Sequence, residues 1–292
     1  MKYFQFVAAV FVLVVSAAFL ALLGEAHGAM RAGASTPPAT RSYLGFDRNE
    51  YPGDEAMKTL RRDFAFTSFW LSPPPGDKTN KNTWTGKREF LRGQDFGFVV
   101  LYRGRDAREL KNEAVAKQKG TLDARNAASS AKTEGFSAGT IIFLDIEDGG
   151  RLPATYHAYL RAFADELAGT KYRAGVYCSG IPVKEGAGVT ITTAEDIRTS
   201  EAPREFTLWA YNDACPPSPG CVFPQEPPTP VASGISAAKV WQFAQSPRRK
   251  EFAAHCPPGY HTDGNCYAPS DTAHAWFLDV NSSSSPDPSG SK

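Results

Sequence analysis

The chain has 292 residues, and its 32 lysines and arginines nearly balance its 31 aspartates and glutamates, which gives a formal net charge of +1. That balance provides no electrostatic reason to expect a polyanionic partner, and it argues against a dedicated nucleic-acid-binding protein. Hydrophobic residues make up 42% of the chain, which is enough to close a core and excludes a chain that is disordered throughout.

The first 28 residues indicate an export signal. Lys2 supplies a positive charge, an apolar run extends from Phe6 to Leu23, and small residues precede a cleavage position after Gly28. The run of about 18 residues is also near the lower limit for crossing a bilayer, so an uncleaved anchor is the alternative. In both cases we expect a secreted or periplasmic (extracytoplasmic) protein that meets a membrane only through this segment.

Cysteine usage agrees with export. Cys215 and Cys221 flank a Pro-rich loop, and Cys256 and Cys266 flank a loop rich in Pro, Gly and His, so each pair is a candidate disulfide bond. The spacing alone does not fix the pairing. Cys178 lies inside an apolar run, and we expect it to be buried and unreactive. Neither pair has the CxxC spacing of a zinc site, and we expect no metal and no other cofactor.

Short apolar runs alternate with amphipathic stretches between a predicted linker at 29–41 and a Ser-rich segment at 283–292, which is predicted to be a disordered tail. Several apolar runs are continuous, as is typical of parallel strands covered on both faces. The predicted strands are Tyr43–Asp47, Phe64–Leu71, Phe96–Tyr102, Thr140–Glu147, Tyr172–Ser179, Phe206–Asn212, Lys239–Ala244 and Ala275–Val280. The predicted helices are Gly53–Asp63, Leu122–Gly135, Pro153–Gly169 and Thr193–Thr199.

Eight strands with intervening helices over residues 42–282 match the size of a (β/α)8 barrel, an α/β fold of the TIM type. The crossovers after the sixth and seventh strands are predicted to be degenerate, because 213–236 are Pro-rich and 246–272 carry the second cysteine pair. An open doubly wound sheet is the alternative, but no GxGxxG follows the first strand. We expect a monomer.

Acidic residues mark the ends of three predicted strands. Asp47 ends the first, Asp145 and Glu147 end the fourth, and Asp279 lies near the end of the eighth. Residues i and i+2 of a strand share a face, so Asp145 and Glu147 should project together. Because the carboxyl ends of barrel strands converge on one face, we expect four carboxylates around one cavity, where like charges raise at least one pKa. That combination suits the acid of a glycosidase.

For each acid alone, a cap or a salt bridge to Arg48, Arg103 or Arg105 is the competing interpretation. Aromatic and amide side chains at the ends of other strands support a sugar site, because sugar rings have apolar faces and polar edges. Barrel strands also bury large residues, so a core role is the alternative for each of them. The candidate saccharide contacts are Tyr102, Tyr177, Trp209, Tyr211 and Gln242.

Six fragments, in this order, resemble the lysozymes of glycoside hydrolase family 25 and, more closely, the secreted glycoside-hydrolase-like barrels known as domain of unknown function 1906. The likeness covers about residues 42–282. The fragments are Gly45-Phe46-Asp47, Leu144-Asp145-Ile146-Glu147, Gly175-Val176-Tyr177-Cys178-Ser179, Leu208-Trp209-Ala210-Tyr211, Val240-Trp241-Gln242 and Leu278-Asp279-Val280-Asn281.

The resemblance implies cleavage of the β-linked bond between N-acetylmuramic acid and N-acetylglucosamine in peptidoglycan. It implies Glu147 as the general acid and Asp145 as an assisting carboxylate, which would stabilise the transition state or orient a substrate acetamido group. It also implies that Asp47 and Asp279 bind substrate. The segment after the first strand, the run Pro73-Pro74-Pro75 and the cysteine-bearing loops differ from the compact lysozymes.

Two functions stay open from the sequence: a secreted glycosidase acting on peptidoglycan-type polysaccharide, and a catalytically inactive carbohydrate- or cell-wall-binding barrel. A phosphodiesterase would need a metal or paired histidines at strand ends, but the five histidines fall in the signal, a helix and loops. A serine hydrolase would need a GxSxG elbow, which the sequence lacks.

Overall fold

The computed structural model describes residues 41–75, 81–212, 226–244 and 278–291. Its barrel strands are β1 (Tyr43–Asp47), β2 (Phe66–Trp70), β3 (Gly97–Arg103), β4 (Ile141–Asp145), β5 (Arg173–Ser179), β8 (Thr207–Tyr211), β9 (Ala238–Ala244) and β10 (Asp279–Ser283). A separate hairpin comprises β6 (Val183–Gly186) and β7 (Val189–Ile191). The helices are α1 (Asp54–Leu60), α2 (Arg88–Gly93), α3 (Glu113–Thr133), α4 (Ala154–Ala168) and α5 (Thr193–Ser200).

The eight barrel strands form a closed ring in the order β1-β2-β3-β4-β5-β8-β9-β10. This confirms the predicted α/β barrel, with one correction to the parallel arrangement of the (β/α)8 type. Strand β10 runs antiparallel to both of its neighbours, β9 and β1, whereas the other neighbouring strands pair in parallel. The start of β10 therefore lies at the end of β1, and Asp279 pairs directly with Asp47.

Strand register places polar and aromatic residues in one row across the barrel mouth. Arg103 of β3 pairs with Asp145 of β4, Asp145 pairs with Tyr177 of β5, and Tyr177 pairs with Trp209 of β8. Because residues paired across neighbouring strands share a face, this row points to one side of the ring. Below it, Phe143 contacts Trp209 edge to face at 5.7 Å between ring centroids, so the interior under the row is filled with aromatic rings.

The helices α3 and α4 pack closely because the face of α3 is built of small residues. A Cβ at Gly120 would lie 2.4 Å from the carbonyl oxygen of Tyr159, so only glycine permits this approach. The predicted helix at Leu122–Gly135 is correct in type, but α3 begins nine residues earlier, at Glu113, where the side chain of Asn112 accepts a hydrogen bond from the Val115 N–H. The predictions for α4 and α5 are confirmed to within two residues at each end.

Two features were not predicted: the short helix α2 and the β6–β7 hairpin. The described part of the crossover after β8 contains a 3₁₀ turn at Pro230–Ser233. The rest of both predicted degenerate crossovers, the four candidate disulfide cysteines, residues 275–277 of the last predicted strand and the predicted export segment lie outside the described residues. Cys178 is fully buried, and burial raises its thiol pKa to about 12, as expected for an unreactive cysteine.

The carboxyl-terminal segment corrects the prediction of a disordered tail at 283–292. Ser283 is the last residue of β10, and the segment that follows packs across the amino ends of β3 and β4. The Phe98 N–H donates to Asp287 Oδ1 (2.9 Å), the Val100 N–H donates to Ser289 Oγ (2.9 Å), and the Ile141 N–H donates to the Ser289 carbonyl (2.8 Å). A Ser-rich sequence is therefore ordered through the backbone groups whose hydrogen bonds it satisfies.

Among the described helices, none combines the length and the hydrophobicity that a membrane span requires.

A buried histidine joins α4 to α5. His157 Nδ1 lies 2.7 Å from Glu201 Oε1 and its Nε2 lies 3.0 Å from Asp196 Oδ2, so both ring nitrogens face carboxylates. Arg161 also donates to Glu201 and Arg151 to Asp196. The hydrogen bond to Glu201 is the main cause of a raised His157 pKa, and the imidazolium form satisfies both carboxylates.

We expect the free energy of unfolding to fall by about 1–3 kcal/mol as the pH rises through the folded-state pKa of His157. The folded pKa lies above the unfolded value of 6.5. The stabilisation is therefore complete below pH 6.5 and is lost on the alkaline side. Urea unfolding at a series of pH values checks this, with His157→Gln as the reference. An identical alkaline decline in both proteins would assign the loss to another group.

Candidate active site

Asp47 is held at the mouth of the barrel by two side-chain amides. Its Oδ1 accepts hydrogen bonds from Asn281 Nδ2 (2.6 Å) and from Gln242 Nε2 (3.0 Å). The Asp47 pKa is raised to about 6, mainly by removal from water; the two donors lower it and the charge of Glu147 raises it. Asp47 is thus a positioned carboxylate that ionises near neutral pH.

The two amides are themselves oriented by aromatic residues. Trp209 Nε1 donates to Asn281 Oδ1 (2.8 Å), which leaves the Asn281 amide nitrogen to donate to Asp47. Likewise, the Tyr177 hydroxyl donates to Gln242 Oε1 (3.0 Å), which leaves the Gln242 amide nitrogen for the same carboxylate. Every donor and acceptor in this network has a defined direction, so Asp47 is fixed in position as well as in environment.

Asp145 and Glu147 form a hydrogen-bonded carboxyl pair. The Ile146 N–H donates to the Tyr177 carbonyl (2.9 Å), which continues the strand geometry beyond Asp145 and keeps the two acids on one face. Their side chains are hydrogen-bonded to each other, which requires a proton on one of them. Asp145 is buried, with only 4% of its surface exposed, whereas Glu147 is accessible to solvent.

The pair holds its proton more strongly than isolated carboxyls would. Burial is the largest cause of an Asp145 pKa well above its usual value, and the charges of Glu147 and Asp47 add to it, while Arg103 opposes it. The Glu147 pKa is also raised, mainly by desolvation, while its hydrogen bond with Asp145 acts in the opposite direction. Burial therefore favours the protonated form of Asp145, with Glu147 as its hydrogen-bonded partner.

All four predicted acids affect the pKa of the same residue, Tyr177. Removal from water is the largest cause of a Tyr177 pKa well above its usual value, and the charges of Asp47, Glu147, Asp279 and Asp145 add to it. Tyr177 stacks on Tyr211, with ring centroids 5.0 Å apart and an interplanar angle of 23°. Tyr211 is half-buried, so part of this aromatic pair faces the mouth of the barrel.

The structure places the remaining predicted saccharide contacts differently. Trp209 and Gln242 are completely buried, so neither can contact a saccharide directly. Their side chains instead form hydrogen bonds with Asn281, Tyr177 and Asp47. Tyr102 is 9% exposed and is hydrogen-bonded to the Asn126 side chain, on the side of β3 that faces α3. It borders a cleft at the ends of β2 and β3.

Two residues with direct roles in this arrangement were missed as site residues. Asn281 donates to Asp47, and its position two residues after Asp279 in β10 was the signal that could have found it. Arg103 was considered only as a salt-bridge partner, yet its register opposite Asp145 puts it beside the carboxyl pair. In the described part of the chain, no group of His, Cys, Asp and Glu side chains is arranged to hold a metal ion.

The comparisons with known proteins agree with the barrel. Residues 72–215 match the family model of the Rv2525c-like, glycoside hydrolase-like domain. The predicted resemblance is thereby confirmed for residues 72–215, which are similar to a glycoside hydrolase-like domain. No curated protein matches the chain.

Several solved structures are similar to this chain. An uncharacterized protein of B. stearothermophilus is 22% identical, over 82% of this chain and 94% of its own, with a TM-score of 0.52. The Tat-secreted protein Rv2525c of Mycobacterium tuberculosis is 15% identical, over 83% of this chain and 95% of its own, with a TM-score of 0.46. The spore cortex lytic enzyme SleM of Clostridium perfringens is 15% identical, over 84% of this chain and 68% of its own, with a TM-score of 0.47.

Proposed function

We propose that this chain is an exported glycoside hydrolase that cleaves β-linked, peptidoglycan-type polysaccharide, with the Asp145–Glu147 pair as its proton donor. The observation that carries the proposal is the pair itself. Asp145 is buried, which raises its pKa well above the usual value, and its partner Glu147 is exposed at the barrel mouth. Two further carboxylates, Asp47 and Asp279, raise the pKa of the nearby Tyr177 hydroxyl. Enzymes tune carboxyl groups in this way when an acid must stay protonated near neutral pH.

We assign different roles to the two carboxyls of the pair. Glu147 is the accessible member and would donate a proton to the leaving glycosidic oxygen, while the proton of Asp145 passes to Glu147. The pair loses one proton and the leaving oxygen gains one, so the step is balanced. In this proposal Asp145, the assisting carboxylate of the sequence-based assignment, holds the proton at rest, and the rise in its pKa on burial supports that role.

Asp145 stands too close to Glu147 to be the opposing carboxylate of a two-carboxylate glycosidase. Such carboxyls flank the scissile bond at about 5–5.5 Å or about 6.5–9.5 Å, whereas these two are directly hydrogen-bonded. The opposing charge would come from Asp47, which two amides orient and which is ionised above about pH 6. A substrate acetamido group acting as internal nucleophile is the other route consistent with a single carboxyl pair.

Substrate binding and export rest on separate features. The stacked Tyr177–Tyr211 pair beside the acids offers a flat aromatic surface for the apolar face of a sugar ring. The positively charged and apolar amino-terminal segment supports export to the compartment where peptidoglycan-type polysaccharide is found.

The experiment compares three proteins on purified peptidoglycan: wild type, Glu147→Gln and Glu205→Gln, with release of reducing ends as the readout. Glu205 is an exposed acid near the start of β8, far from the barrel mouth, so its variant is the matched control. We expect release by wild type and Glu205→Gln, and a loss of about 10²-fold or more in Glu147→Gln. Binding without release by all three proteins would instead identify an inactive carbohydrate-binding barrel.

A further inference from the structure

We propose that a cleft beside the carboxyl pair binds the carboxylate of an acidic sugar residue, with Arg103 as the cation that recognises it. The inference rests on the proposed glycosidase function, and it narrows the substrate to glycans that carry carboxylate groups. The relevant chemistry is shared by sugars with a carboxylate-bearing ether substituent and by hexuronic acids.

The cleft lies where β2 and β3 end, and it encloses about 180 Å³. Its walls are formed by Ser72, Pro73, Tyr102, Arg103, Gly104, Arg105 and Glu109, and the Glu109 carboxylate faces Arg105. The Gly104 N–H donates to the Asp145 carbonyl (3.0 Å), so the floor of the cleft is joined to the strand that carries the carboxyl pair. Pockets for whole small-molecule ligands usually measure about 300–1,000 Å³. The cleft therefore suits one substituent of a sugar whose ring lies over the acids.

Of the two arginines in the cleft, only Arg103 is available to a ligand. Arg105 donates two hydrogen bonds to Asp123 (2.8 and 2.7 Å) and lies 3.5 Å from Glu109. Arg103 is exposed and forms no ion pair with any residue in the described ranges. Its backbone N–H donates to Ser72 Oγ (2.9 Å), so the Ser72 hydroxyl proton remains for a second hydrogen bond to the same ligand.

Charge explains why a cation is needed at this position. The acids that are ionised at the mouth would repel an acidic glycan, because like charges repel each other more strongly in a poorly hydrated site than in water. Arg103 pairs in register with Asp145, on the face of the ring that carries the acids. A guanidinium there can bind a carboxylate through two parallel hydrogen bonds and offset that repulsion.

The test measures binding by calorimetry to four glycans: peptidoglycan strands, the same strands after chemical reduction of their carboxylates to alcohols, neutral N-acetylglucosamine oligomers, and hexuronate oligomers. The proteins are wild type, Arg103→Gln, Arg103→Lys and Arg92→Gln. Arg92 is an exposed arginine at the end of α2, remote from the mouth, and its variant controls for loss of one positive charge.

We expect wild type and Arg92→Gln to bind a carboxylate-bearing glycan about tenfold more tightly than a neutral one, Arg103→Gln to lose this preference, and Arg103→Lys to keep part of it. Preference for peptidoglycan or for hexuronate identifies the source of the carboxylate. A preference retained by Arg103→Gln, or equal binding of all glycans by wild type, overturns the inference. The test measures binding and not cleavage. A protein that shows the Arg103-dependent preference but does not cleave glycans would therefore refute the proposed catalytic function and leave the carboxylate-binding inference standing.

Discussion

Replacing Asp145 with Asn is expected to reduce glycan cleavage by about 10²–10⁴-fold, the usual contribution of a positioned acid or base. Asn keeps the shape of the side chain but carries no ionisable proton, so Glu147 no longer receives a proton from residue 145. Initial rates of reducing-end release over a range of pH check this. The residual activity of the variant should follow the titration of Glu147 alone and therefore respond to pH differently from wild type.

The same change separates catalysis from folding. A buried carboxyl with a raised pKa destabilises the folded state above its unfolded pKa, so Asp145→Asn should be at least as stable as wild type at neutral pH. Asp63→Asn, at an exposed acid shortly before β2, is the control for the loss of one carboxylate. A variant that unfolds, or one that cleaves at the wild-type rate, would contradict the role given to Asp145.

Ending the chain after Ser283 is expected to destabilise the barrel by about 3–6 kcal/mol, a large part of the usual 5–15 kcal/mol of folding stability. The truncation removes the partners of the Phe98, Val100 and Ile141 N–H groups and of the Phe98 carbonyl. Buried backbone groups without partners cost about 1–3 kcal/mol each, less where water enters. Urea unfolding measures the loss.

Ending the chain after Ser291 is the matched control, because every hydrogen bond named above is then retained. Where the longer truncation does not yield soluble protein, Asp287→Ala gives a milder measurement, since it removes the acceptor of the Phe98 and Ser291 N–H groups. Equal stability of the truncated and full-length chains would show that residues 284–291 contribute nothing to the fold.

Much of the barrel could be predicted from local patterns. The run from Thr140 to Glu147 is continuously apolar until its acids, which is typical of a strand buried on both faces, and the structure confirms strand β4 there. The i,i+2 spacing of Asp145 and Glu147 was enough to put both on one face. The helical period of residues 153–169 gave α4 almost to the residue.

What the sequence could not supply depends on long-range contacts. The direction of β10 is set by its pairing with β1 and β9, and no local pattern records it. The Ser-rich segment after Ser283 has the composition of a disordered tail, yet its order comes from hydrogen bonds to residues about 190 positions away along the chain. Likewise, Trp209 and Gln242 carry the chemistry of saccharide contacts, and only the closed ring shows that they are buried.

The central claim is that burial and mutual contact keep a proton on a carboxyl pair at the mouth of this barrel. Carbon-13 NMR titration of the aspartate and glutamate carboxyls in the whole protein tests it most directly. We predict that Asp47 titrates near pH 6, that Asp145 titrates well above the usual aspartate range, and that Asp145→Asn shifts the Glu147 curve. Ordinary, independent titration of Asp145 and Glu147 near pH 4 would contradict the claim.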